Sequence, residues 1–594
     1  MSLEDLVAHN FEYDEQEQVN EYTASDMQWI YLNDLNQGNY ANGWVNFSNL
    51  NVIGSSTEKY FDWSQGYVQV PHVCVLSCAG AANPSFGTVN GTPAYTHNGE
   101  NAFGISLKGS QHIVDLLQIK FSGASVNRNS NFNNFVMNER LKMKDMSQAP
   151  LLYDILSFDW DSEDSYKIDN ALGDINNQTT QTASLGLSAF QSGTFANNGM
   201  INRMRKTNYD NTTQSGSLFA TNGTFTSTAL NNSLQQGLVA VFDTTLASAT
   251  ANDANRITYL VYQFVSTIPL SEIHDFYKNL PSVQTSLGFE LRMQLNIASG
   301  NSWTINCTGT NVGNHTINSV TANQSVGNTC PYIIPTPALN GSTGLRLTAT
   351  NTQAFSVTAS SYIGYYGNNV TLNASGVPQG STVIPCRIFV PQINLTPSYS
   401  KMLLDSPIKT ILYEDYYVDS IRNIVSTGTT QVQRLFNTQL SKVRNLYILP
   451  YLSSKANAPV SYQSILSSAP NTVSLCRLSN FNIQIGGVNV LNEPQYFVNQ
   501  FYINNLLPLL AQQNGNSFKS SFMSGQINRS EWEKAYNVYS IDMRRVADEV
   551  QDAQSKAFQL TFKIDTNNTY DFLVILTYQN SLSIDRVTGQ ITSA

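Results

Sequence analysis

The sequence predicts an all-β protein built as two antiparallel β-sandwiches in tandem. Short apolar runs with period-two alternation recur along most of the chain, divided by Gly, Asn, Ser and Pro. Helical spacing is confined to a few short stretches. The same arrangement occurs in both halves: many strands, then a short helix late in the order, then strongly alternating strands. Eight-stranded jelly rolls suit this pattern, because paired four-stranded sheets protect their edges and tolerate long loop insertions at one end.

Taken in order, residues 1–43 are acidic and irregular and read as an N-terminal arm. Strand signals begin at Trp44, with WVNFSNL, YFDW and YVQVPHVCVLSC. ISLKGSQHIVDLLQIKFSG reads as strand, turn, strand, and NNFVMNERLKMKDMSQAPLLYDIL as a helical patch ending near Asp154. About 170–237 is an Asn-, Thr-, Ser- and Gly-rich loop excursion, followed by the strands LVAVFDTTL and RITYLVYQFVST. A second polar loop excursion is expected over about 300–352, then the strands FSVTASSYIGYYG and VIPCRIFVPQINL. LTPSYSKMLLDSP reads as a break, which puts the first jelly roll at 44–403 and the second at 404–594. The second half opens on the long run IKTILYEDYYVDSIRNIV. In FNIQIGGVNVL, Gly486-Gly487 supplies the positive φ angles of a two-residue hairpin turn. YFVNQFYINNLLPLLAQQ has helical spacing, MRRVADEV reads as a short helix or turn, and AFQLTFKID and DFLVILTYQNSLSID are closing strands.

The most informative stretch is 268–296, IPLSEIHDFYKNLPSVQTSLGFELRMQLN. Pro269 begins a helix, Ser271 is placed to cap it, and Glu272 suits the positive end of the helix dipole. Leu270, Ile273, Phe276 or Tyr277, and Leu280 form one apolar stripe, which leaves Glu272, His274 and Asp275 as the polar face. Pro281 stops the helix, and Phe289, Leu291, Met293 and Leu295 then alternate as a half-buried strand.

Composition narrows the function. The 594 residues are 41% hydrophobic, enough for large cores, but only 12% charged, half the usual ~25%. Uncharged polar surface over many strands suits shells, fibres, adhesins and secreted carbohydrate-handling proteins. A net charge of −10 argues against a surface that grips phosphate backbones. The longest basic cluster, Arg203, Arg205 and Lys206, reads as a solvated loop. Of the six cysteines, Cys74 and Cys78 lie in one strand-like run and read as buried free thiols, while Cys307 and Cys330 flank a polar loop and leave a disulfide open. There is no apolar h-region and no apolar run of about 18 residues, so neither a secretion signal nor a membrane span is expected.

No catalytic, cofactor-binding or metal-binding residue is selected, no cofactor is implied, and an enzyme is not expected. Asp159, Asp161, Glu163 and Asp164 in FDWDSED lack the Gly and distal Glu of a calcium loop. His9, His72, His97, His112, His274 and His315 are scattered without metal-ligand spacing. Nucleophile-elbow and phosphate-loop motifs are absent from the sequence.

Several segments, in order, resemble one family. PLSEIHDFYKNLP with GFELRMQLN, PQINLTPSYSKMLLDSPIKTILYEDYYVDSI, VRNLYILPYL, FNIQIGGVNVLNEPQYFVNQF and TYDFLVILTYQNSLSIDRVTGQI look like elements of the double-jelly-roll, hexon-like major capsid proteins of the virophage and Polinton-like virus group. The likeness spans about 268–300 and most of 390–594; the first 250 residues agree in character. It implies a homotrimer forming a pseudo-hexameric capsomer, with many capsomers tiling an icosahedral capsid around a double-stranded DNA genome. The implied partners are further copies of the chain, a penton protein and minor or cement capsid proteins, with no sequence-specific nucleic-acid binding. The implied location is the virion capsid, assembled inside the infected host cell. A β-sandwich carbohydrate-binding or adhesin-like protein is the alternative, and a jelly-roll glycan hydrolase stands behind it.

Overall fold

The computed structural model describes, with short gaps, residues 24–48, 59–160, 237–243, 258–297, 302–323, 333–379, 384–453, 473–495, 527–543 and 556–593. Eight strands make the frame of the first half: β1 (Ala24–Asn33), β2 (Trp44–Ser48), β3 (Tyr67–Gly80), β4 (Val114–Phe121), β5 (Ala124–Ser125), β6 (Thr258–Pro269), β7 (Phe289–Leu295) and β8 (Arg387–Leu395). Eight more frame the second: β9 (Ile408–Thr427), β10 (Thr430–Leu440), β11 (Val443–Leu452), β12 (Leu478–Ile485), β13 (Val488–Asn489), β14 (Tyr539–Asp542), β15 (Lys556–Ile564) and β16 (Asn567–Asp585).

Their pairing is the same in both halves. The first has sheets β1-β8-β3-β6 and β2-β7-β4-β5. The second has β9-β16-β11-β14 and β10-β15-β12-β13. Counted from its own start, each half therefore runs 1-8-3-6 in one sheet and 2-7-4-5 in the other. That order arises when an antiparallel ribbon pairing 1 with 8, 2 with 7, 3 with 6 and 4 with 5 is rolled up, so that 8 meets 3 and 7 meets 4. It is the jelly-roll topology, present twice.

Alternation fills the space between the sheets. In β7, Phe289, Leu291, Met293 and Leu295 are all fully buried, and they join Val68 and Val70 of β3 and Leu117 and Ile119 of β4 in the first core. In the second core, Leu560 and Phe562 of β15 and Ile483 and Ile485 of β12 face Phe572, Val574 and Leu576 of β16. Each such side chain stabilises the fold by about 1.5–3 kcal/mol through area removed from water. The turn between β12 and β13 is as expected, with Gly486 at φ 56° and Gly487 at φ 87°.

Four expectations are corrected. Residues 24–33, assigned to the irregular arm, form β1, because Ile30 and Leu32 of MQWIYLN turn toward the core. Much of 300–352 is not loop: Ser302–Asn311 and Asn314–Asn323 pair as a long hairpin, and Ala354–Ile363 bonds that hairpin to the end of β3. Its Thr, Ile and Val content favours extended backbone even where few residues are strongly apolar. The break after β8 contains a helix, Pro397–Asp405, with Pro at its first position and the Ser400 N–H bonded to the Thr396 carbonyl. Finally, the helix expected after Pro269 is two short turns of helix, broken at His274.

The 170–237 excursion, Arg203, Arg205, Lys206, Cys330, most of YFVNQFYINNLLPLLAQQ and the end of MRRVADEV lie outside the described residues. Cys74, Cys386 and Cys476 are buried free thiols. Among the described residues no helix is long and apolar enough to cross a membrane.

Candidate functional site at the junction of the sandwiches

The two cores meet along a polar seam. Strands β9 and β16 are 20 and 19 residues long and overrun their own sandwich. Ile411 and Tyr413 of β9, with Leu582 and Ile584 of β16, lie in the first core. Tyr416, Ile421 and Phe572 to Leu576 of the same strands lie in the second. The first half reaches back with helix α1 (Asn133–Lys142). Its Met137 and Leu141 belong to the first core, its Phe135 and Val136 to the second. Phe135 meets the Tyr451 ring edge-on at 5.6 Å.

The broken helix sits where these elements converge. After α2 (Pro150–Leu156), it forms α3 (Leu270–Ile273) and α4 (Asp275–Asn279). His274, between them, is extended at φ −153°, and its Nδ1 accepts the Phe276 N–H at 3.2 Å, capping α4. A backbone N–H can only donate, so Nδ1 carries the lone pair and the ring proton is on Nε2. Nε2 then donates to Asp415 Oδ1 at 3.3 Å. The other Asp415 oxygen accepts from the Tyr578 hydroxyl at 2.6 Å and the Arg128 N–H at 3.1 Å, and Oδ1 also accepts the Tyr416 N–H at 2.8 Å. His274 and Asp415 are 1% and 0% exposed, so this carboxylate exchanges water for four protein donors.

Neighbouring groups extend the seam. Asp275 accepts the Glu414 N–H at 2.9 Å and lies 3.7 Å from Arg140. Tyr413 donates to the Val126 carbonyl and Tyr416 to Asn133 Oδ1, each across the junction. Burial pushes the Tyr413, Tyr416 and Tyr578 hydroxyls up, and the Asp415 charge pushes them further, so all three stay protonated donors. On α1, Glu139 and Lys142 form a buried ion pair, and the Lys142 ammonium lies 5.7 Å from the Tyr536 ring centre. Burial raises the Glu139 pKa, opposed by the charge of Lys142.

The sequence-expected polar face of Glu272, His274 and Asp275 is therefore corrected: Glu272 and His274 are buried and Asp275 is bonded to the second sandwich. The apolar stripe is as expected, with Leu270, Ile273, Phe276, Tyr277 and Leu280 all buried. A His–Asp pair has the composition of acid–base machinery, but here both imidazole nitrogens are engaged by protein groups. The arrangement fixes two bodies together.

Asp415 escaped sequence reading although its parity carried a signal. Ile411, Tyr413 and Asp415 share one face of β9, so a carboxylate falls in an apolar row and requires buried donors. In FDWDSED, Asp159 is half-buried beside Phe158 and Trp160, whereas Asp161, Glu163 and Asp164 lie outside the described residues. Among the described residues no three His, Cys, Asp or Glu side chains are grouped to hold a metal ion.

No protein-family model and no curated protein matches the chain. Solved structures of viral capsids do. A chain of the Sputnik virophage is similar at 14% identity and TM-score 0.38, over 97% of this chain and 91% of that one. The mavirus major capsid protein is similar at 9% identity and TM-score 0.39, over 98% and 94%. The Faustovirus major capsid protein is similar at 9% identity and TM-score 0.40, over 95% and 91%.

Proposed function

We propose that the protein is a major capsid protein, a structural, non-enzymatic subunit that trimerises into pseudo-hexameric capsomers and assembles into an icosahedral shell enclosing double-stranded DNA. One observation carries the reading: a single strand order is built twice in one chain, and a buried seam locks the two copies together. Three such chains around an axis present six similar sandwiches, which tile like hexagons. The ordered sequence likeness supports the same reading, since its PLSEIHDFYKNLP and LYEDYY segments supply the two sides of the seam.

In this reading the strands from Ala24 to Leu395 make the first jelly roll and those from Ile408 onward the second. Penton and cement proteins would complete a shell assembled in the infected host cell and present in the virion capsid. With a net charge of −10, such a shell would enclose its genome without gripping it through clustered cations. The test is the mass of the purified full chain by light scattering, with negative-stain imaging. A trimer forming hexagonal blocks is expected; a stable monomer at micromolar concentration overturns the proposal.

A further inference from the structure

The outward face of the β1-β8-β3-β6 sheet carries two adjacent rows. Tyr31 lies opposite Phe389, Phe389 opposite Tyr67, and Tyr67 opposite Pro269, giving an apolar row across four strands. Two positions along each strand, Asn33, Arg387, Gln69 and Thr267 make a parallel polar row. The Tyr67 and Phe389 rings stack at 5.2 Å and 14°, Tyr31 lies 6.0 Å from Phe389, and Trp29 lies 5.7 Å from Tyr67. Trp29 and Tyr31 are 46% and 52% exposed, while Leu32 between the rows faces inward and is fully buried. Arg387 covers part of Tyr31, 4.7 Å from its ring centre, and donates to Asn33 Oδ1 at 3.2 Å.

At their β6 end both rows run into a cavity of about 550 Å³. Tyr67, Gln69, Ser266 and Thr267 line it from the sheet, and Asp154 and Ser157 from the end of α2. Among the described residues no Lys, Arg or His lines it and the charged group present is a carboxylate, so an anionic ligand is disfavoured. A wholly apolar ligand would strand its hydroxyls and amides. A neutral sugar satisfies both surfaces. Its C–H face packs on an aromatic ring, and its hydroxyls exchange hydrogen bonds with Ser, Thr and Gln, while a carboxylate accepts from two adjacent hydroxyls. Three strand spacings of about 4.8 Å carry the row across roughly 14 Å, the length of a trisaccharide.

We propose that this face binds a neutral oligosaccharide. One unit occupies the cavity over Tyr67 with Asp154 accepting its hydroxyls, and the following units lie along Phe389, Tyr31 and Trp29. The test titrates the full-length chain with maltotriose, α-mannotriose and a β-galactotriose, read by calorimetry and saturation-transfer NMR. At least one is expected to bind with a Kd of about 0.1–10 mM, the range of a few hydrogen bonds and one stacking surface. Trp29→Ala and Asp154→Asn are each expected to weaken it about tenfold, a loss of one such contact. Both positions are exposed, and an unchanged thermal midpoint and oligomeric mass check the fold. Absence of binding by all three sugars, or equal binding by wild type and both variants, overturns the proposal. So does a Trp29→Ala variant whose oligomeric mass falls without sugar present, which would make this face a contact between copies of the chain.

Discussion

The first and second sandwiches share one strand order but place their extra residues differently. In the first, the additions are new strands: Ala354–Ile363 pairs alongside the C-terminal part of β3 and the 302–323 hairpin pairs onto it, widening the sheet. In the second, the frame itself is lengthened. β9 and β16 have 20 and 19 residues, against 10 and 9 for their counterparts β1 and β8. First and eighth strands are hydrogen-bonded neighbours, so lengthening both lets the added segments pair with each other over most of their length. The result is a two-stranded tongue that leaves its own core and enters the other. Additions at strand connections leave the frame as it was, whereas additions within paired frame strands join it to a neighbouring body.

The largest expected effect comes from breaking the first sandwich's side of that joint. Phe276 is fully buried among Phe121, Tyr277 and Tyr413, at ring distances of 6.2, 5.8 and 5.3 Å. Phe276→Asp places an unpaired carboxylate there, at a cost of about 5 kcal/mol or more. Loss of soluble protein or of the first sandwich's cooperative unfolding is expected. Leu412→Asp on the tongue's exposed side, at 54% exposure, should stay within about 0.5 kcal/mol of wild type. Equal stability of both variants by urea denaturation would show that α4 is not packed as described.

Asp415→Ala acts on the second sandwich's side. It strands the Tyr578 hydroxyl and the Arg128 N–H and removes the acceptor of His274, for an expected loss of about 3–5 kcal/mol. Because the tongue couples the cores, the wild type should unfold in one calorimetric transition and the variant in two. A single, unshifted transition in the variant contradicts the seam.

Histidine separates the halves further. All six lie at or before His315, so the second sandwich contains none. His72 on β3 is fully buried, and burial lowers its pKa from 6.5 to about 4. The unfolded chain therefore takes up the proton first. Its effect on stability is absent above pH 6.5 and grows as pH falls to 4, reaching about 3 kcal/mol from a gap of roughly 2.5 pKa units. Midpoints should fall in wild type as pH is lowered from 7 to 4 and fall less in His72→Gln, and an unchanged slope would remove His72 from the account.

Legibility in the sequence followed the physics of each element. Phe289–Leu295 was readable because one face is core and the other is not, as its alternation states. β1 was hidden because Trp29 and Tyr31 make its outer face apolar too, and acidic residues precede it. The 302–323 hairpin was hidden by its Asn and Thr content, which resembles loop text until a neighbouring strand supplies the pairing. The seam was the least legible part. The apolar stripe of 270–280 pointed correctly to burial, but parity within one helix cannot show that His274 meets a carboxylate 141 residues away. In β9 the register shift between Ile421 and Ile424, with Asn423 at φ 57°, breaks the alternation that would have marked the whole strand.

The smallest expected effects compare two turns of the second sandwich. Gly487 takes φ 87°, and a Cβ there would meet nothing within 4 Å. Gly487→Ala therefore costs only the left-handed backbone, about 1 kcal/mol. Gly428, between β9 and β10, takes nearly the same φ of 90°, but a Cβ would fall 2.6 Å from Asn567 Oδ1. Gly428→Ala must carry the same backbone cost and also displace Asn567 at the start of β16, the strand that forms half of the tongue. Its unfolding midpoint should drop further than that of Gly487→Ala. In the double variant Gly428→Ala/Asn567→Ala, the excess over Gly487→Ala should shrink toward zero, because only the backbone term is left. An excess that survives the removal of Asn567 would mean that the turn's strain lies in the backbone of β9 and β10 rather than in the side chain facing it.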